Sequence, residues 1–160
     1  MLTEKMKDIL LYSLAEEYEL YPEDHSKNSI QALVRRGFLE KEDDDYFEIT
    51  AKGVKALGLP SSIRAKRPKT IVKKILSILS DWGDIEIISA KSIPAIAAEE
   101  DHYNDRTTWY DTQEALFATP YCGDEMEYVM AQIACDYAQK AGHTIYFERI
   151  RHLLIFYNEE

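Results

Sequence analysis

The chain has 160 residues, of which 46% are hydrophobic and 30% charged, a composition that suits one ordinary folded domain or two small ones. No uncharged run approaches the length of a membrane span, and the charged residues near the start, such as Glu4 and Lys5, are not those of a secretory signal. We therefore expect a cytoplasmic protein with no membrane partner.

The formal net charge of −10 is distributed unevenly along the chain. Residues 61–80 carry 6 basic and no acidic side chains, whereas residues 81–160 carry 5 basic and 16 acidic ones. A basic band of this kind suits nucleic acid or an acidic partner. It suits equally well a pairing with the acidic regions of the same chain or of a second copy.

The first apolar pattern predicts a helix from Thr3 to Tyr18. Its buried side would comprise Met6, Ile9, Leu10, Leu14 and Tyr18. The Tyr21-Pro22 pair then breaks the chain, because proline disfavours a helical backbone in the residue before it. This part of the chain is expected to be scaffold.

A second helix is predicted to begin at Ser26, whose hydroxyl can accept a hydrogen bond from a first-turn amide. One face of this helix is apolar, with Ile30, Leu33, Val34 and Phe38. The other face carries amide and guanidinium side chains, at Asn28, Gln31, Arg35 and Arg36. Such side chains can bind base edges in the major groove of DNA. A solvated helix surface is the alternative interpretation.

Gly37 is expected to end this helix, because glycine readily adopts the left-handed backbone found at helix ends. A hairpin is predicted next, with its turn at Asp43-Asp44-Asp45 and its return strand over residues 46–50. Thr50 is placed to cap a short closing helix over residues 51–57.

Two segments of this region, Ala32–Glu40 (ALVRRGFLE) and Ile49–Gly53 (ITAKG), resemble winged-helix regulators of the MarR and PadR type. The resemblance covers residues 1–59 and implies a winged helix-turn-helix fold. It also implies that the helix over residues 27–36 enters the DNA major groove while the hairpin contacts the flanking backbone. The three consecutive aspartates at the hairpin tip favour a different partner, since phosphate contacts are normally made by lysine and arginine.

Residues 60–68 are predicted to be a basic linker, since they are rich in proline and in basic side chains. Pro68 suits the first position of a helix, which the apolar pattern extends from Lys69 to Trp82. The wide apolar arc of this helix suits either the core of the second half or a dimer interface.

The best-defined element of the second half is a helix from Asp124 to Ala141. Asp124 and Glu127 have the spacing of a capping box, and Gly142 follows as a stop. One side of the helix is apolar, while the opposite side has no charge, with Tyr128, Ala131, Gln132, Cys135 and Gln139. Because solvated helix faces normally carry lysine and glutamate, we expect this side to be covered as well, for example by another subunit.

The rest of the second half is predicted to form a small sheet, packed by the helices over residues 69–82 and 124–141. Strands are expected over residues 85–88 and 144–147, and a further helix over residues 107–117. Residues 152–157 fit a strand or a last helical turn equally well, because short apolar runs do not distinguish the two.

Catalytic signatures are absent from the sequence. The six glycines are too widely spaced for a phosphate-cradling loop, and no nucleophile elbow or zinc-binding helix is present. Cys122 and Cys135 have no His or Cys neighbours at metal-ligand spacing, and a reduced pair is expected. The acidic run over residues 99–105 is expected to be a solvated loop. We therefore expect no enzymatic activity, no metal and no other cofactor.

Together these patterns predict an α+β protein, with an N-terminal winged helix-turn-helix domain over residues 1–59 and a small acidic α/β domain over residues 69–160. The predicted function is that of a DNA-binding transcriptional regulator, a homodimer whose partner is duplex DNA. The residues expected to bind DNA are Lys27, Asn28, Gln31, Arg35, Arg36, Lys66, Arg67 and Lys69.

A second function class fits the acidic character of the chain. It is an acidic protein-binding module, such as a phage or mobile-element inhibitor of a host nucleic-acid-binding protein. In that case Asp43, Asp44 and Asp45 would bind a basic protein partner.

Overall fold

The structure is a computed structural model that describes residues 2–15, 25–42, 46–80, 86–93, 115–150 and 152–158. Across these ranges the protein is α+β, with five α-helices and two antiparallel sheets. It divides into two compact units, residues 1–63 and 64–160, and the division falls inside the segment 60–68. Within the described ranges, no helix is both long and apolar enough to cross a membrane.

The first unit begins with helix α1, Glu4–Leu14, which Thr3 caps by accepting a hydrogen bond from a first-turn amide at 3.1 Å. The predicted helix is longer, and its last residues, 16–18, lie outside the described residues. Ala15 is buried with an extended backbone, and it ends the helix. Leu11, which the apolar pattern did not include, is buried in the core.

Helix α2 (Lys27–Arg35) is followed by strands β1 (Leu39–Lys41) and β2 (Phe47–Ile49) and by helix α3 (Ala51–Ala56). The two strands pair in antiparallel fashion. The predicted hairpin is therefore present, while its turn at Asp43-Asp44-Asp45 lies outside the described residues.

Three residues, Gly37, Thr50 and Gly53, close the base of the hairpin against α3, and we call them the hairpin clasp. Gly37 has a φ of +80°, a left-handed backbone that suits glycine. The Thr50 hydroxyl donates to the Gly37 carbonyl at 2.6 Å and accepts from the Gly53 amide at 3.1 Å. A Cβ at Gly53 would overlap the carbonyl oxygen of Phe38 and lie 2.7 Å from Cγ1 of Ile49. The strand ends and α3 are thus packed as closely as glycine permits.

The second unit has two helices and four strands within the part of the chain that the structure describes. They are α4 (Pro68–Leu79), β3 (Ile88–Ser89), β4 (Ala115–Pro120), α5 (Glu125–Lys140), β5 (Ile145–Ile150) and β6 (Leu153–Asn158), with a 3₁₀ turn at Ala90–Ser92. The strands form one antiparallel sheet in the order β3-β4-β6-β5. Helix α5 packs against α4 and against β5. The predicted small sheet is therefore present, with α5 packed on it and α4 packed on α5.

Strand β6 is buried on both faces of this sheet, and residues 153–157 are each at most 3% exposed. On the face toward the helices, Phe156 stacks on Phe117 of β4 with ring centroids 4.9 Å apart. On the opposite face, Ile155 belongs to an apolar cluster with Ile88. The sheet therefore has an apolar layer on each side, which favours the long apolar run of β6.

Two predicted elements of the second unit are wrong within the described residues. The helix predicted over residues 107–117 is contradicted at its end, where Ala115–Pro120 is strand β4. The predicted strand over residues 85–88 is reduced to Ile88–Ser89. In both cases pairing with a neighbouring strand decides the conformation, since Phe117 pairs with both β3 and β6. Residues 153–158, for which strand and helix were equally good, form strand β6.

The two helices of the second unit begin where they are predicted to begin. Pro68 occupies the first turn of α4, which ends at Leu79 rather than at Trp82, since Ser80 has an extended backbone. The capping box of α5 is confirmed, because Asp124 accepts a hydrogen bond from a first-turn amide and Glu127 accepts one from the Asp124 amide.

The uncharged side of α5 is covered in large part by the chain itself. Ala131 and Cys135 are at most 1% exposed. Tyr128 packs against Phe147 of β5, with ring centroids 5.7 Å apart. Gln139 donates a hydrogen bond to the carbonyl of Ile145, also in β5, at 3.1 Å. Contacts within one chain thus account for the absence of charge on this side.

We predict that Gly53→Ala destabilises the protein by about 1–3 kcal/mol, as overpacking of a closed site does. Helix propensity alone would give the opposite sign, since alanine is favoured over glycine inside a helix by roughly 1 kcal/mol. Urea unfolding of the two proteins measures the difference in free energy of unfolding.

The matched control is Ala56→Gly, an exposed position in the same helix α3. It should cost roughly 0.5–1 kcal/mol through helix propensity. If Gly53→Ala stabilises the protein while Ala56→Gly destabilises it, propensity dominates and the close packing of the clasp is refuted.

We also predict that the two thiols differ in reactivity by about two orders of magnitude or more, because Cys122 is exposed and Cys135 reacts only when the core opens. Labelling with a thiol reagent under native conditions should show one fast and one slow phase. Cys122→Ser should remove the fast phase and leave the slow one. Two fast thiols in the native protein would contradict the burial of Cys135.

Candidate nucleic-acid interface

Helix α2 is fixed at its first turn and along its apolar side. The Ser26 hydroxyl accepts a hydrogen bond from the Ser29 amide at 3.4 Å, which confirms the predicted cap. Ile30 is 2% exposed and Leu33 is fully buried. Because this side is packed in the core of the first unit, the opposite side of α2 is presented to solvent.

The flank of α2 where its apolar and polar sides meet encloses, with the hairpin, an open groove of ≈ 400 Å³, which we call the α2 groove. Five residues of α2 and two of the hairpin line it: Lys27, Ile30, Gln31, Val34, Arg35, Lys41 and Phe47. The helical members recur at intervals of three and four residues, which places them along one stripe of the helix. The groove thus combines an apolar floor with polar side chains at its edges.

The polar side chains of the α2 groove are three cations and one amide. Lys27 and Arg35 lie on the helix, Lys41 lies on the hairpin, and Gln31 lies between the two helical cations. All four are exposed. No carboxylate is among the described residues that line the groove. In a chain of net charge −10 this is a locally cationic surface.

The pairing of the two hairpin strands places their basic and acidic side chains on opposite faces. Leu39 pairs with Ile49 and Lys41 with Phe47, while Glu40 pairs with Glu48. Because successive side chains of a strand point to opposite faces, Lys41 lies on the groove side and Glu40 and Glu48 lie on the other side. The acidic residues of the described strands are therefore directed away from the α2 groove.

Of the residues predicted to bind DNA, Lys27, Gln31 and Arg35 are brought together in the α2 groove. Asn28 is exposed on α2 but does not line the groove. Lys66, Arg67 and Lys69 belong to the second unit, at the start of α4, where the first two are exposed and Lys69 is half-buried. Asp43, Asp44 and Asp45 lie outside the described residues.

Arg36 is placed differently from the other predicted residues. Its guanidinium carbon lies 4.8 Å from the centre of the Phe38 ring, and it donates a weak hydrogen bond to the sulfur of Met6 at 3.8 Å. Lys52 lies 5.1 Å from the same ring and donates to the Arg36 carbonyl at 2.8 Å. The hydrogen bond to Met6 links the end of α2 to α1, and the Lys52 contacts link it to α3. Arg36 is thus a packing residue of the first unit.

Lys41 is the groove residue that the sequence analysis did not single out. The available signal was the alternation of strand β1, in which Leu39 is buried and Glu40 exposed. By that period Lys41 shares the side of Leu39, toward the helix. Asp43, Asp44 and Asp45 give this part of the sequence a net negative charge, which masks the single lysine of the strand.

Comparison with models of protein families gives no significant match for this chain. Comparisons with characterised proteins and with solved structures give none either, so the function has to be inferred from the residues themselves.

Proposed function

We propose that residues 1–59 form a winged-helix DNA-binding module and that the protein is a transcriptional regulator. The observation that carries this proposal is the α2 groove, in which three cations and one amide converge without a carboxylate among the described lining residues. The element order α1, α2, hairpin and α3 supports it, as does the exposure of the polar side of α2.

In this proposal α2 lies in the major groove of duplex DNA and the hairpin lies over the adjacent backbone. A helix with its side chains fits the roughly 12 Å width of the major groove. One sugar-phosphate strand then runs between α2 and β1, along the α2 groove. Lys27 and Lys41 bind phosphates from the two sides of that strand, while Gln31 and Arg35 reach base edges.

Each of these roles follows from the chemistry of the side chain. A lysine ammonium is a point charge that binds phosphate without sequence preference. The Gln31 amide can donate to and accept from adenine in the major groove, and the Arg35 guanidinium can donate two hydrogen bonds to guanine. We expect the protein to act as a homodimer, since dimers of such modules read two half-sites of an operator.

The proposal predicts that the protein binds duplex DNA with an affinity that falls as salt rises. The logarithm of the binding constant should fall linearly with the logarithm of the salt concentration, with a slope of about −0.9 per phosphate contact. Lys27→Ala or Lys41→Ala should each make this slope shallower by about 1. Arg35→Ala should cost about 1–3 kcal/mol of binding free energy. Fluorescence anisotropy on a mixed duplex library measures all of these.

Two matched variants control for general effects of charge. Lys55→Ala removes an exposed cation of α3 that does not line the groove, and Arg36→Ala removes the arginine beside Arg35. Both should leave the slope unchanged, and Arg36→Ala should instead lower the free energy of unfolding. Absence of duplex binding at low salt and micromolar protein would refute the proposal, as would equal effects of Lys41→Ala and Lys55→Ala.

A second candidate function is supported by the outer side of the hairpin. Glu40 and Glu48 pair across the two strands there, and Tyr46 is 41% exposed. Acidic and aromatic side chains on an exposed hairpin suit a basic protein surface, since complementary charge steers association. We infer that this side is the contact surface if the protein is an inhibitor of a nucleic-acid-binding protein.

The second candidate predicts binding to a basic, Lys- and Arg-rich peptide. Glu40→Gln combined with Glu48→Gln should weaken this binding by about tenfold or more, while Lys41→Ala should not weaken it. Isothermal titration calorimetry on the peptide distinguishes the two candidates. If the double variant binds the peptide as well as the original protein, the outer side of the hairpin is not the contact surface.

A further inference from the structure

The two helices of the second unit differ in the charge of their first turns. Anions stabilise the N-terminus of a helix and cations its C-terminus. Helix α5 follows this rule, since Glu125 and Glu127 lie in its first turn and Lys140 lies in its last. Helix α4 departs from it, with no acidic residue in its first turn and with Lys69 there instead. Positive charge at the start of α4 is therefore unfavourable for the helix.

Six basic side chains lie just before α4 or on it, and we call them the α4 cationic face: Arg64, Lys66, Arg67, Lys69, Lys73 and Lys74. Four of them are exposed, while Lys69 and Lys73 are half-buried. The buried residues of the helix, such as Ile71 and Ile75, lie on its other side. Because that side is packed in the core of the second unit, the α4 cationic face is presented to solvent.

The described part of the chain does not neutralise the α4 cationic face. No ion pair joins any of the six cations to a described carboxylate. No acidic residue occurs between positions 61 and 80 either, although residues 81–160 carry 16. Lys69 and Lys73 are four positions apart on the helix, a spacing at which like charges repel each other. The face therefore concentrates positive charge without compensation, which favours an anionic partner.

The N-cap of α4 departs from the local rules as well. Serine, threonine, aspartate and asparagine stabilise this position, and Ser26, Thr50 and Asp124 occupy it in α2, α3 and α5. In α4 the N-cap is Arg67, which makes no side-chain cap hydrogen bond. Departures from local rules are expected at functional sites. At α4 each departure adds positive charge and lowers helix stability, which indicates binding to an anion.

A row of phosphates fits the α4 cationic face better than one small anion. Arg67 and Lys74 lie seven residues apart on one side of the helix. At 1.5 Å per residue this is about 10 Å along the axis. A strand of duplex DNA presents one phosphate per 3.4 Å of its axis, so about three phosphates pass over this distance. Lysine and arginine are the usual side chains that bind such a backbone.

We propose that the α4 cationic face is a second DNA-binding surface, which binds the backbone of duplex DNA without sequence preference. Lys66, Arg67 and Lys74 bind phosphates, and the other three cations add to the positive potential. The face belongs to the second unit and the α2 groove to the first. The inference therefore goes beyond the proposed winged-helix module, and either surface can bind DNA if the other does not.

The test measures binding of the full chain to a labelled mixed-sequence duplex by fluorescence anisotropy at several salt concentrations. A groove variant, with Lys27→Ala, Arg35→Ala and Lys41→Ala combined, first removes the cations of the α2 groove. It should still bind the duplex at low salt. The logarithm of its binding constant should fall with the logarithm of the salt concentration, by about 0.9 per remaining phosphate contact.

Substitutions in the α4 cationic face are then added to the groove variant. Arg67→Ser should make the slope shallower by about 1, and Lys66→Ala with Lys74→Ala should make it shallower by about 2 more. Because phosphate contacts carry no base information, the loss of affinity should be the same for every sequence in the duplex mixture.

Arg67→Ser also gives a readout that a merely structural role would not produce. It places a preferred residue at the N-cap and removes a cation from a helix N-terminus, so the urea midpoint of the free protein should rise. DNA binding should weaken at the same time. The matched control is Lys140→Ala, which removes an exposed cation from the last turn of α5. It should lower the midpoint slightly and leave the salt slope unchanged.

The outcomes distinguish this proposal from the role of the α2 groove. Loss of all duplex binding in the groove variant would overturn the proposal, as would equal salt slopes for Arg67→Ser and Lys140→Ala. Sedimentation velocity without DNA tests a second copy as the partner. If Arg67→Ser reduces self-association and leaves the salt slope unchanged, the face binds an acidic region of another copy and the proposal is wrong. If only the α4 substitutions weaken DNA binding, the proposed role of the α2 groove fails and this proposal stands.

Discussion

The hairpin clasp is the constraint on which the first unit depends. Gly53 approaches the Phe38 carbonyl so closely that no larger residue fits, and the same carbonyl accepts a hydrogen bond from the Thr50 amide at 3.0 Å. The start of β1 and the end of β2 are therefore held together at a single register. In a strand pair, a shift by one residue would exchange the two faces. It would direct Glu40 toward α2 and Lys41 away from it.

The clasp also explains why an acidic chain can carry a cationic groove. Net charge describes the field far from the protein, whereas ions at physiological salt screen charges beyond about 8 Å. Inside that distance the arrangement of individual side chains decides the potential. The hairpin places Glu40 and Glu48 on one side and Lys41 on the other. Local positive potential then follows from the alternation of the strand, and the total charge does not prevent it.

The sequence was informative wherever a feature depends on residues three or four positions apart. The caps at Ser26, Thr50 and Asp124 are present as predicted, because each needs only a hydroxyl or carboxylate and a nearby amide. The left-handed backbone of Gly37 and of Gly142 follows from the same local geometry. The helix caps and the glycine helix ends could therefore be predicted from neighbouring residues alone.

Features that depend on distant contacts were not accessible from the sequence. Phe117 was placed in a helix because its pairing with β6 cannot be read from its neighbours. The sequence pattern places Arg36 on the same helix face as Arg35. In the structure Arg36 contacts the ring of Phe38 and the sulfur of Met6, and it does not line the α2 groove. The membership of Lys41 in the candidate site required the register of the hairpin. In each case a partner outside the local window decides where the side chain lies.

The central position of β6 has a consequence for how the second unit assembles. β6 forms a ribbon with β5, its immediate neighbour in sequence, whereas α5 and β5 both lie between β4 and β6 in the chain. Closing a short loop costs less entropy than closing a long one, and distant pairings form more slowly. We therefore expect the ribbon to form before β4 pairs with its open edge. Because β6 pairs with both β5 and β4, a destabilising substitution in β6 should slow the folding of the second unit and also lower its free energy of unfolding.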